Sequence, residues 1–481
     1  MTASDGAAPD LVWFRHDLRL SDHAALLAAI RSRRPVIPVY ILDDSAGDNW
    51  RTGCAARWWL HRSLSALTAA LEATRSRLIL RRGAWDDILS ALVRETGAAS
   101  VHAGRLYEPW ADAKDRAIAA ALPVPLHLHR TTTLFDPSSM RTRLGTPFTG
   151  YTPFVRACLA GDTPAPPEAP PKHIPAPATW PRSDTLTAFE LQPSDPDLPR
   201  ALAAVWTPGE DGARRRLATF MDSALDHYDT GRARLGAGGT SMLSPHLRWG
   251  EVSPATVWHA AATAAGHRGP GLEAFQKEML WREFAIHLLR HHPDLPDTPL
   301  RSTFTRFPWR HDPDDLRAWQ EGRTGYPIVD AGMRQLRRAG WMHNRVRMIV
   351  ASFLVKHLLL PWQDGARWFW ERLVDADLAS NSASWQWVVG LGSGSAPYFR
   401  VFNPVLQGER FDADGSYVRQ YVPELARLPD AFLHRPWEAP ADVLKNADVI
   451  LGETYPVPIV NHTAARVRAL DAYAPFGRPD A

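Results

Sequence analysis

The chain has 481 residues, 45% of them hydrophobic and 22% charged, the makeup of an ordinary globular protein with more than one domain. Its net charge of +3 permits an anionic partner without requiring one, so a nucleic-acid site must come from local clustering. Two isolated cysteines, Cys54 and Cys158, exclude a disulfide framework and a cysteine-based metal centre, and fit a reducing cytosol.

The first ten residues carry acids and no apolar run, so they do not read as a signal peptide. Residues 11–14, 36–42, 77–80, 100–102 and 126–129 then read as buried strands. Between them, residues 24–31, 57–73, 85–96 and 111–122 read as amphipathic helices. This alternation predicts a parallel sheet covered on both faces. The first strand–helix turn, Arg15-His16-Asp17-Leu18-Arg19, has no GxGxxG, so a pyrophosphate-binding Rossmann site is unsupported there. Residues 161–208 are rich in Pro, Ala and Ser and include Pro166-Pro167 and Pro170-Pro171. They read as a linker wrapping the surface, neither helix nor central strand. From Gly209 onward the pattern is helical. Residues 349–360 are apolar but interrupted by Lys356 and His357, so no membrane span is expected. The expected division is an α/β domain over 9–135, a linker over 136–208 and an all-helical domain over 209–475.

Within the helical part, Gly238-Gly239-Thr240-Ser241-Met242-Leu243-Ser244 places hydroxyls and flexible glycines beside a helix start. Free N–H groups at such a turn suit a phosphate or diphosphate, although Ser and Thr are also plain N-caps. Glu278, Trp281, Arg282 and Ala285 share one helix face, which could stack and hydrogen-bond a base; the alternative is a surface Glu278–Arg282 ion pair. In a predicted helix from Trp341 to Met348, Trp341, Asn344, Arg345 and Met348 share another face. Arg347 borders the apolar side and needs a buried anion, for which Asp375 or Asp377 is the natural candidate. Arg334, Arg337, Arg338, Arg345 and Arg347 interleave with aromatics, as suits a phosphate backbone carrying unstacked bases. The histidines show no metal-ligand spacing. Eight of the 20 tryptophans fall between residues 309 and 387, and each could be core, stacking surface or electron path.

These motifs jointly resemble the DNA photolyase/cryptochrome family over essentially the whole chain. The match runs through Trp13-Phe14-Arg15-His16-Asp17-Leu18-Arg19, Tyr228 and Thr240-Ser241-Met242-Leu243-Ser244. It is strongest in Thr324-Gly325-Tyr326-Pro327-Ile328-Val329-Asp330-Ala331-Gly332-Met333-Arg334, at residues 341–348 and 375–387, and in Pro397-Tyr398-Phe399-Arg400-Val401-Phe402-Asn403-Pro404. The resemblance implies an α/β domain, a wrapping linker and a helical domain that holds FAD non-covalently. It assigns the flavin site to Tyr228, Thr240, Ser241, Met242, Leu243, Ser244, Trp281, Arg282, Arg347, Asp375, Ala376, Asp377 and Asn381. Arg347 and Asp375 would flank the isoalloxazine, and Asn381 would face flavin N5. It further implies that Trp385, Trp362 and Trp309 form a photoreduction chain. Trp281 and Trp387 would wall the substrate pocket, leaving Trp341, Trp368 and Trp370 as core.

By the same resemblance, Glu278, Asn344 and Met348 match the pattern for cyclobutane pyrimidine dimers. The (6-4) photolyases place a second His where Asn344 stands, and Asn cannot act as a general acid at neutral pH. The implied mechanism is blue-light-driven electron transfer from excited FADH⁻ to a dimer flipped out of DNA, followed by ring splitting and electron return. Arg232, Arg345 and Gln407 match DNA-contact positions. Gly394 stands where the family usually has Asp, which puts the local loop geometry in question. Tyr107-Glu108-Pro109 fits a methenyltetrahydrofolate antenna region loosely, with a deazaflavin, a flavin or an empty site as the alternatives. A bacterial cytosolic monomer without metal or membrane contact is expected. Cryptochrome-type signalling is the competing class; Asn381, the complete lesion pocket and the absence of a long disordered tail argue against it. A light-independent flavoprotein is disfavoured because no second acid–base pair or nicotinamide site is visible.

Overall fold

Five runs of apolar residues form one parallel sheet: β1 (Asp10–Phe14), β2 (Val36–Leu42), β3 (Ile79–Arg82), β4 (Ser100–Gly104) and β5 (Leu126–His129). The strand order is β3-β2-β1-β4-β5 and every pairing is parallel. The protein is described here by a computed structural model over residues 7–45, 47–236, 238–266, 268–391 and 400–476. Helices α1 (Ala24–Arg31), α2 (Cys54–Ala73), α3 (Trp85–Thr96) and α4 (Pro109–Ala121) cross between strands, as parallel pairing demands. Trp13, Val39, Ile79 and Val101 pack with Leu89 and Ile118 into one core.

The third strand lies two residues further on than its apolar run suggests. Pairing with β2 sets the register, Val39 opposite Ile79 and Leu42 opposite Arg82. The two arginines this draws into the strand find acids at its edge, Arg81 with Glu95 and Arg82 with Asp44. That exposed edge is covered by the proline-rich segment. Leu80 N–H donates to Ser183 Oγ at 3.0 Å, and Asp184 N–H donates to the Leu80 carbonyl at 2.8 Å. Covering an edge in this way removes a template for aggregation. The segment also contains a short helix, contrary to the expectation from its composition. In α6 (Asp197–Ala203) Pro199 falls in the first turn, where no intrahelical N–H donor is needed. It is preceded by α5 (Tyr151–Ala160).

The rest of the chain is helical. In order come α7 (Glu210–Ser223), α8 (Tyr228–Gly231), α9 (Ser244–Arg248), α10 (Pro254–Ala264) and α11 (Pro270–His291). Then follow α12 (Pro313–Glu321), α13 (Pro327–Ala339), α14 (Asn344–Ser352), a π-helical turn Phe353–His357, α15 (Trp362–Arg372), α16 (Leu378–Val389) and α17 (Pro404–Phe411). Further helices run to His462–Tyr473. None of the described helices is long and apolar enough to cross a membrane. The contacts divide the chain into two compact units. The first comprises residues 1–226, 241–293 and 374–378; the second comprises 227–240, 294–373 and 379–481.

In the first unit, α11 is fixed by its buried face. Glu283 accepts from the N–H groups of Leu134 and Phe135 at 2.9 and 3.2 Å, and His287 Nε2 accepts from Phe148 N–H at 3.1 Å. Burial raises the Glu283 carboxyl above its usual range despite the neighbouring Arg282. In the second unit, the Thr324–Arg334 string is an anchor. Asp330, fully buried, accepts from Thr324 N–H at 2.7 Å and from the Tyr455 hydroxyl at 2.7 Å. Pro327 opens α13, and Gly340, at φ 59°, closes it in the left-handed region.

Candidate active site

Each unit carries part of the expected residue set. In the first, Met242 sits at φ 49°, an uncommon conformation for a side chain with a Cβ, in the turn that feeds α9. Leu243 N–H reaches Ser241 Oγ at 3.4 Å, while Thr240, Ser241 and Met242 are half-buried and Ser244 is exposed. Helix α9 spans only about 7.5 Å. Its far end holds the acidic segment: Arg248 Nε donates to the Ala376 carbonyl and Trp249 Nε1 donates to the Val374 carbonyl at 3.1 Å. The proposed diphosphate turn and the Asp375, Ala376, Asp377 segment are therefore positioned from opposite ends of one short helix. Asp375 is buried, at 7% exposure, and Asp377 is half-buried.

Helix α11 presents Glu278, Trp281 and Arg282, all half-buried, on the side away from its Glu283 anchor. Arg282 donates to the Thr132 carbonyl at 2.7 Å and approaches Glu283 at 3.4 Å. Trp281 stacks on Tyr151 with ring centroids 3.5 Å apart.

In the second unit, α14 begins at Asn344, three residues later than the apolar period suggests. His343 is its N-cap, accepting the Arg345 N–H at 3.1 Å. Trp341 therefore precedes the helix and does not share its face, whereas Asn344, Arg345 and Met348 do. Asn344 is exposed, Arg345 and Met348 half-buried, and Arg345 Nη1 lies 3.6 Å from Met348 Sδ. Burial, reinforced by Arg345, Arg347 and Arg232, lowers the His343 imidazole to about 4. It is neutral at physiological pH, and its Nδ1 is spent on the cap. Arg347 is half-buried, its Nε bound to the Met342 carbonyl at 2.8 Å and its guanidinium 5.9 Å from the Trp341 ring.

The three expected DNA-contact positions meet around a residue the sequence reading missed. The Arg345 guanidinium stacks over Phe411 at 4.6 Å. Phe411 ends α17, one turn after Gln407, and its carbonyl accepts Leu235 N–H at 3.1 Å, three residues after Arg232. Arg232 itself lies over Tyr228 at 5.6 Å. Only the fold reveals Phe411, because Arg345 and the Arg232–Leu235 segment are remote from it in sequence.

Trp385 is 2% exposed, Trp362 is 1% exposed and Trp309 is half-buried. Trp385 lies on α15 at Gly365, one turn after Trp362, where a Cβ would overlap its ring. Trp309 is tied to the approach to Trp362, since Arg310 N–H donates to the Leu359 carbonyl at 2.7 Å. Trp341 and Trp370 are buried, and Trp368 is half-buried under Arg372. Trp387 is half-buried. Asn381 is buried and its amide nitrogen donates to the Ala366 carbonyl at 3.0 Å. Next to it, Ser382 Oγ is buried with no hydrogen-bond partner. Tyr107-Glu108-Pro109 lies at the start of α4, where burial of Glu108 is outweighed by His16, 3.5 Å away, taking the carboxyl down to about 2. Among the described residues no group of three or more His, Cys, Asp or Glu could hold a metal. Gly394 lies outside the described residues.

Comparison with known proteins identifies the family. Residues 10–173 match the DNA photolyase family model, and residues 275–475 match the FAD-binding domain of DNA photolyase. The chain is 50% identical to the deoxyribodipyrimidine photo-lyase of Agrobacterium fabrum, over 97% of this chain and 98% of that one. It is 36% identical to cryptochrome-1 of Arabidopsis thaliana, over 96% of this chain and 70% of that one. Its fold superposes on a bacterial class III photolyase from Agrobacterium tumefaciens with a TM-score of 0.95, 50% identity and 99% coverage of both chains. The α/β sheet, the helical FAD-binding domain and these full-length similarities establish that the chain belongs to the DNA photolyase/cryptochrome family.

Proposed function

We propose that this protein is a deoxyribodipyrimidine photo-lyase, a light-dependent DNA-repair enzyme that splits cyclobutane pyrimidine dimers. The observation that carries the substrate assignment is on α14. Asn344 and Met348 share its accessible face, while the neighbouring His343 is neutral and committed to the cap. That face offers hydrogen bonding and a soft apolar contact but no general acid, which suits a bond-splitting substrate needing no proton transfer.

Reduced FAD, when bound, supplies the light-excited electron. Around it, Tyr228, Thr240 and Ser241 to Ser244, with Met242 and Leu243 between, hold the cofactor's polar parts. Arg347 would supply a cation and Asp375 a carboxylate to the flavin, and Ala376, Asp377, Arg282 and Asn381 would complete the set. Glu278 hydrogen-bonds a pyrimidine carbonyl of the dimer and stabilises charge that develops there. Trp281 and Trp387 pack against the two flipped-out bases. Arg232, Arg345 and Gln407 hold the DNA backbone and fix the register without reading sequence. Trp385, Trp362 and Trp309 carry electrons inward from the surface in hops that replace one long transfer, with Trp309 keeping accessible surface and the other two enclosed. For the antenna, methenyltetrahydrofolate against Tyr107, Glu108 and Pro109 is the reading we adopt. The protein is taken as a cytosolic monomer.

The test is a parallel assay of two DNA substrates under blue light, one with a cyclobutane thymine dimer and one with a (6-4) lesion. Repair of the first alone is expected. Repair of the (6-4) lesion would overturn the substrate assignment. Repair of neither, with fully reduced flavin, would favour the signalling role of the cryptochrome relatives.

A further inference from the structure

Trp281 is backed by a second aromatic ring. Tyr151, the first residue of α5, lies parallel to the indole at an interplanar angle of 5° and a centroid separation of 3.5 Å. Aromatic pairs prefer offset or edge-to-face arrangements over such direct overlap, because like quadrupoles repel. Something must therefore hold the rings in place. The Tyr151 hydroxyl donates to the Lys277 carbonyl at 2.6 Å. Lys277 is one turn before Trp281, and its carbonyl is the one the helix ladder offers to Trp281 N–H. Tyr151 thus grips a single turn of α11 twice, by its ring and by its hydroxyl. Phe284 closes the nest edge-on, 5.9 Å from Tyr151 and 6.0 Å from Trp281. Phe154, from the next turn of α5, packs on Phe284 at 5.3 Å. Trp281 nevertheless remains half-buried, so the surface it keeps open is not the face that Tyr151 covers.

We infer that Tyr151 is a positioning residue for lesion recognition: it fixes the plane of Trp281 and so sets the preference for a damaged over an undamaged base. The inference rests on the reading of Trp281 as a lesion wall. A cyclobutane dimer is bent, because its fused four-membered ring holds the two pyrimidines at an angle. An indole locked in one plane matches one half of that bent shape. An indole free to tilt loses that match, while an undamaged duplex, whose bases stay stacked, does not depend on it. Tyr151 would act through Trp281 without touching DNA, and would contribute to the selectivity of binding more than to its strength.

The experiment measures dissociation constants in the dark for the flavin-loaded protein. It uses two duplexes of one sequence, with and without a single thymine dimer. Tyr151→Phe keeps the ring and loses the pin; Tyr151→Leu loses both. The ratio of the two constants should fall two- to threefold in the first and about tenfold in the second, as expected for losing one aromatic contact. Binding to undamaged DNA and the flavin spectrum should stay unchanged. In a Trp281→Ala background, Tyr151→Leu should change the ratio no further, which a merely structural role would not produce. An unchanged ratio in both single variants overturns the inference, and so does an equal loss of affinity for both duplexes. If the leucine variant does not fold, the phenylalanine variant decides alone: a two- to threefold fall supports the inference and no fall overturns it. A wild-type protein with no preference for the dimer would instead overturn the underlying repair reading.

Discussion

Gly365 and Trp385 should behave as one packing unit. A Cβ on Gly365 would stand 2.6 Å from Leu354 Cδ2 and 2.7 Å from Trp385 Cζ2, closer than real side chains tolerate. Gly365→Ala alone therefore overpacks the α15–α16 contact and should cost about 1–3 kcal/mol. Trp385→Phe alone removes three buried ring atoms, including those nearest Gly365, and should cost about 2 kcal/mol in lost transfer and cavity energy. The double variant places the new methyl in the space the indole vacates. Its total cost should then fall short of the sum of the singles by about 1–2 kcal/mol, well above the scatter expected for independent sites. Urea denaturation of the flavin-loaded protein measures all corners of the cycle. Strict additivity would refute the claim that Trp385 is seated on Gly365.

Trp385→Phe should also block photoreduction of oxidised flavin while sparing repair once the flavin is reduced chemically; equal losses in both assays would make Trp385 purely structural. Glu278→Gln keeps the shape and removes the charge, and should lower the repair yield severalfold with little change in dimer binding, read by single-turnover illumination. His343, lowered to about 4 from 6.5, destabilises the fold when it is protonated. Its contribution is whole above about pH 6.5 and is lost as the pH falls toward 4, so His343→Asn, which keeps a capping oxygen, should flatten that acid limb. Lys356 is buried in the π-helical turn, donates to the Arg400 carbonyl at 2.7 Å, and is lowered by burial to about 7. The unfolded chain binds the extra proton between pH 7 and 10.5, so stability should rise across that window, and Lys356→Met should abolish the rise; an unaltered slope in denaturation midpoints would contradict this.

The sheet was readable because period and length favour strands wherever short apolar runs alternate with amphipathic helices. β3 shifted because pairing with β2, a long-range constraint, outweighed its local hydrophobicity. The start of α14 was misread for a related reason: the apolar period runs on through Trp341, but a side-chain cap at His343 decides where the helix begins. The candidate site residues were legible through long ordered motifs and not through tryptophan abundance, which cannot separate core, wall and wire. Burial does not separate them either, since Trp362 and Trp385 are as enclosed as Trp341 and Trp370, while Trp309 and Trp368 keep accessible surface like Trp281 and Trp387. Phe411 and Tyr151 left no trace in the linear reading. Their importance comes from what they touch, Arg345 in one case and Trp281 in the other, across large sequence separations.

The central claim is that this protein uses light to split a cyclobutane dimer. Its most direct measurement mixes the protein, carrying chemically reduced FAD, with an oligonucleotide bearing one thymine dimer, and follows the recovery of thymine absorbance in blue light and in the dark. The account predicts many turnovers in the light, none in the dark, and no net consumption of reductant. Splitting in the dark, or no splitting in the light, would contradict it.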